Sequence, residues 1–147
     1  MNCAARLARA IAVVVVATAV VGVARTTSAA LHEDCDMHGS VALWAFLFAP
    51  LSGALASALL TTMVRPGPSL RQAGLACMGA SAGVLLAGVT AYVTLTRVPQ
   101  ESWNCKSDLG ALAIAFAMGG GGIALLVLLT LVGTILLLVS HGMGKRS

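Results

Sequence analysis

The sequence predicts an all-α polytopic membrane protein, a bundle of four transmembrane helices, and three observations carry that expectation. The 147 residues are 59% hydrophobic and 10% charged, with a mean hydropathy of +0.95. A soluble domain has about a quarter of its residues charged. Four long apolar segments, approximately 7–29, 41–64, 74–96 and 109–140, make up most of a single domain covering 1–147. Apart from Arg9 and Arg25 in the first, the charges avoid them. All 5 acidic residues, Glu33, Asp34, Asp36, Glu101 and Asp108, fall in two short polar segments. Arg6, Arg9, Arg65, Arg71, Lys145 and Arg146, out of 9 basic residues, fall at the opposite ends of the apolar stretches.

A hydrocarbon core about 30 Å thick needs roughly 20 helical residues, and segments two to four each suffice. Lipid offers no partner to exposed backbone groups, so such spans close their hydrogen bonds internally as helices. Continuous rather than alternating apolar character argues against a β-barrel.

The first segment has two readings. Arg6 and Arg9, the apolar run 11–24 and the small polar stretch 25–29 also describe a secretory signal peptide. Cleavage would leave three spans and the same orientation for the rest. The second segment is free of charge, is capped by Ser40, and contains Pro50, which should kink it. Arg65-Pro66-Gly67-Pro68 stops it, because proline cannot continue a helix. Ser69 and Gln72 have capping-box spacing and open the third segment. Ser107 or Asp108 can cap the fourth.

That fourth segment, as a helix over 109–140, would be about 48 Å long. Gly119, Gly120, Gly121 and Gly122 are the place where it should bend. Transporters use broken helices of this kind to hold substrate. Close approach of a neighbouring helix is the favoured use here, since ion pathways need intramembrane ionisable groups and none is near.

Orientation follows from Lys and Arg. Both termini and the 65–71 loop belong in the cytoplasm, while loops 31–40 and 97–108 are exoplasmic, with Trp44 and Trp103 at the outer interface. The protein is thus integral to a membrane, the plasma or cell membrane.

Cys35 and Cys105 lie one in each exoplasmic loop, where a disulfide is the expected state. It would close a loop of about 70 residues, for about 4 kcal/mol in the chain-entropy account. No CxxC pair points to redox catalysis. His32, Cys35 and His38 are metal-ligating residue types, but their crowding matches no structural zinc spacing, so no metal or other cofactor is expected. Gly79 and Gly83 form a GxxxG, and Gly53 with Ser57 repeats small-xxx-small spacing, which lets helix backbones approach. Packing within the bundle is the commoner use of such motifs.

Segments two to four hold no Asp, Glu, Lys, Arg or His, and no nucleophile-elbow, P-loop or zincin motif occurs. Catalytic residues are therefore not expected. Dispersed basic residues without an aromatic-interleaved patch argue against nucleic acid. The sequence points to a non-enzymatic integral membrane protein, a structural or interaction subunit of a membrane or envelope complex. Its partners would be the bilayer and other membrane proteins or further copies of itself. The alternatives are a small transporter or channel subunit with a glycine-hinged fourth helix, and an exoplasmic metal or redox sensor.

Overall fold

In a computed structural model the structure describes residues 3–32, 38–64, 68–97, 99 and 117–143. Among these there are helices and no strands. The helices are α1 (Cys3–His32), α2 (His38–Leu43), α3 (Ala49–Val64), α4 (Ser69–Arg97) and α5 (Gly122–Met143). Two wide π turns, Trp44–Phe48 and Ala117–Gly121, lead into α3 and α5. Four stretches are long and apolar enough to cross a membrane: Cys3–His32, Ser40–Met63, Ser69–Arg97 and Gly119–Gly142.

Several helix ends differ from the sequence expectation. The first helix runs through Arg25 to His32, beyond the apolar run, and at 30 residues is about 45 Å long. Helix α2 begins at His38, so Ser40 lies inside the helix and does not cap it. The Ser69–Gln72 capping box does not form. The Pro68 carbonyl takes the Arg71 and Gln72 N–H groups at 3.0 and 3.1 Å, leaving no amide for the Ser69 hydroxyl at Gln72. The caps proposed at Ser107 and Asp108 lie outside the described residues.

Pro50 acts through the turn before it. Its ring cannot sit over the carbonyl four residues back, and it has no N–H to offer. The chain widens there: the Ala49 N–H bonds the Trp44 carbonyl, five residues back.

Helix α4 is the hub, packing against α3, α5 and α1, while α1 also packs on α3. What the helices bury is mostly small, with Val23, Leu31, Val41 and Val84 the larger exceptions. Ala8, Ala12 and Ala19 face inward from α1, and Gly74, Ala80, Ser81, Gly83, Ala87 and Ala91 from α4. What they expose is large, including Leu7, Val13, Leu51, Leu85, Ile123, Leu131 and Leu138. Water-soluble proteins sort the two sizes the other way. Lipid is as apolar as leucine, so helices in it gain by bringing backbones close rather than by hiding large side chains.

Candidate functional site in the helix interfaces

The α3–α4 contact is built backbone to backbone. Gly53 faces Gly79: a methyl on either would overlap the carbonyl of the other, and one on Gly79 would also lie 2.5 Å from the Ser57 Cβ. One turn earlier on α3, a methyl on Gly83 would overlap the Ala49 carbonyl. One turn later the Ser57 hydroxyl donates to the Leu75 carbonyl at 2.7 Å. Ala49–Gly83, Gly53–Gly79 and Ser57–Leu75 thus step along two antiparallel helices four residues at a time. Ala45 and Ala87, the next step outward, belong to one buried cluster with Val23, Ala49 and Ala91.

A second face of α4 holds α5. Methyls on Gly74 and Gly133 would meet the opposite carbonyls at 3.2 and 3.1 Å, with Leu137 and Cys77 beside them. Two turns further, the Ser81 and Thr130 hydroxyls are 2.8 Å apart. Thr130 spends its only proton on the Leu126 carbonyl at 2.7 Å, so Ser81 is the donor between the helices. Cys77 and Cys3 are free thiols.

The third contact seats Trp44 on Gly22 of α1. A methyl there would overlap the indole ring, and the Phe48 ring lies against the indole at 44° with ring centroids 4.8 Å apart. Trp44 is half-buried against α1. Trp103 lies outside the described residues.

The structure thus brings Gly53, Ser57, Gly79 and Gly83 together. It treats the glycine run differently. Gly119 has open space where a side chain would be, Gly120 is exposed, and Gly121 and Gly122 face the Phe46 ring at 3.5 and 3.8 Å, not a neighbouring backbone. Gly22, Gly74, Gly133 and the Ser81–Thr130 pair escaped the sequence reading. The signal for the α5 contact was a second small-residue face on α4, since Gly74 and Ser81 are seven residues apart and off the line of Gly79 and Gly83.

Among the described residues no three His, Cys, Asp or Glu side chains gather in a group that could hold a metal. His32 Nδ1 lies 3.0 Å from the Ser28 carbonyl, which can only accept, so Nδ1 carries the proton. Cys35 lies outside the described residues, as does Cys105. No cysteine pair stands at disulfide distance among those described, so the structure lends the Cys35–Cys105 bridge no support.

Hydroxyls inside the spans serve their own helices. Thr18, Thr26, Thr62, Thr90, Thr94 and Thr134 each donate to a carbonyl four residues back. Ser57 and Ser81 reach across to other helices, as described above, and Thr27 is fully buried with no partner for its hydroxyl among the described residues. All five carboxylates of the chain lie outside the described residues. No family model, curated protein or solved structure matches the chain.

Proposed function

We propose that the chain is a non-enzymatic integral membrane protein, a structural or interaction subunit of a membrane or envelope complex. Its termini would be cytoplasmic and its 31–40 and 97–108 loops exoplasmic, following the distribution of Lys and Arg. The observation that carries the reading is the state of the fourth span. Its apolar window is 11% buried, against 33% for the second span, and it packs chiefly on one neighbour, α4. Ile123, Val127, Leu131, Ile135 and Leu138 leave its outer face uncovered. A helix attached along one face offers the rest of its surface to lipid or to another helix.

Photo-crosslinking from Leu131 in native membranes tests the reading. A discrete protein adduct, either a second copy or another membrane protein, is the expected result. Adducts with lipid alone would overturn the interaction role.

The π turn at Ala117–Gly121 favours a second reading, a transport subunit that bends at its glycines, because such turns recur at functional sites. Replacing Gly120 and Gly121 with leucine would then abolish solute flux while insertion persists. Unchanged flux would remove it.

A further inference from the structure

We propose that the cleft between the N-terminal end of α4 and the C-terminal end of α5 holds an anionic phospholipid, with its phosphodiester on Arg71. The cleft measures about 700 Å³. It opens next to the contact where Gly74 and Gly133 bring the two helices together. Beyond that contact the walls are Arg71 and Pro68 on one side and the last turns of α5 on the other.

The lining changes character with depth. Along α5, Thr134, Leu137 and Leu138 line the part nearer the middle of the span and Ser140 and His141 the part nearer its end, while Arg71 lines the cleft from the first turn of α4. From Thr134 to His141 is about 10 Å along the helix, the depth over which a phospholipid passes from acyl chain to headgroup. Thr134 Oγ1 donates to the Thr130 carbonyl, so nothing polar in the deeper part is left wanting a partner.

The polar end suits an anion. A guanidinium presents paired N–H donors that match phosphate oxygens. The start of a 29-residue helix adds partial positive charge at the same end. Ser140 Oγ donates its proton to the Leu137 carbonyl at 2.8 Å, so toward the cleft it can only accept, which fits a headgroup hydroxyl. Phosphatidylglycerol supplies a phosphodiester, headgroup hydroxyls and acyl chains in that order. Basic pockets between helices at the membrane surface are suited to such headgroups.

This inference rests on the membrane reading above, and the two fail separately. Protein found in the membrane fraction but without lipid preference would sink only this one. The test is lipid titration of the full chain in mild detergent, read by native mass spectrometry, with dioleoylphosphatidylglycerol and dioleoylphosphatidylcholine. Wild type is expected to bind the anionic lipid roughly fivefold more tightly, the effect of one basic side chain near the surface. Arg71→Gln should abolish that preference, and Arg71→Lys should keep most of it. Arg6→Gln removes the same charge from α1, which does not line the cleft, and should leave the preference intact. Equal binding of both lipids, or a preference that survives Arg71→Gln, would overturn the site. So would an equal loss in Arg6→Gln, which means diffuse surface charge. Competition by millimolar inorganic phosphate alone would reassign the cleft to a free anion.

Discussion

Gly53 and Gly88 are both glycines within apolar helices, yet their surroundings give them opposite mutational behaviour. A methyl on Gly53 would overlap the Gly79 carbonyl, an atom fixed by the α4 backbone that cannot swing aside. Relief requires the two helices to separate, which also lengthens the Ser57–Leu75 hydrogen bond one turn away. Gly88 has nothing within 4 Å of the same position. Gly53→Ala is therefore expected to cost about 1–3 kcal/mol, the usual range for overpacking. Gly88→Ala should be neutral or slightly stabilising, as alanine is the better helix former. Thermal unfolding of both variants in the same detergent checks this pair. Equal midpoints would mean that α3 and α4 do not meet in the register described. Neither outcome can be read from composition, because both glycines look alike until the opposing carbonyl is placed.

At the scale of elements, the four spans were legible because a continuous apolar run long enough to cross a bilayer needs no knowledge of its neighbours. Helix ends were less so. Ser40 and Ser69 are good capping residues, but α2 begins before the first, and the Pro68 carbonyl takes the amide that the second would need. Position along the chain says nothing of what Trp44 packs against, because the notch at Gly22 that receives it lies on another helix. The Gly79–Gly83 motif was visible, but its opposite number depended on the second helix as well. Pro50 shows how a local rule becomes a tertiary one. Its missing N–H and bulky ring are met by the π turn Trp44–Phe48, and that turn sets which way Trp44 points. Pro50→Ala restores a donor, so the turn is expected to tighten into α-helix. Residues before it would then rotate by about 100° relative to α3, carrying Trp44 out of the Gly22 notch. In a Trp103→Phe background, Trp44 emission should shift to the red on that substitution. An unshifted spectrum would show that the tertiary contact, not Pro50, holds the π turn open.

For the whole molecule, the charge map and the packing are two statements about one environment. Most charged groups gather outside the apolar runs, and within the runs mostly small residues face inward, with Val23, Leu31, Val41 and Val84 among them, while most Leu, Ile and Val face out. Antiparallel succession of the spans puts Cys3, Ser69 and Met143 at one end of the bundle, with His32, His38 and Arg97 at the other. In the orientation proposed from Lys and Arg, the first end is the cytoplasmic one. Thiols make this testable without foreign tags, because Cys3, Cys35, Cys77 and Cys105 fall in four different places along the thread. In intact cells treated with a reductant, a membrane-impermeant maleimide should label single-cysteine variants retaining Cys35 or Cys105. It should spare the Cys3 variant until the membrane is permeabilised. Cys77, half-buried beside Gly133 in the α4–α5 contact, should react only after denaturation. Labelling of Cys3 in intact cells with Cys35 and Cys105 protected would invert the topology, moving the Arg71 cleft to the outer leaflet. A mature chain whose mass lacks the first segment, and Cys3 with it, would instead show cleavage. α1 would then be gone from the assembled protein, uncovering the α3 and α4 surfaces and the Trp44 ring that it packs against.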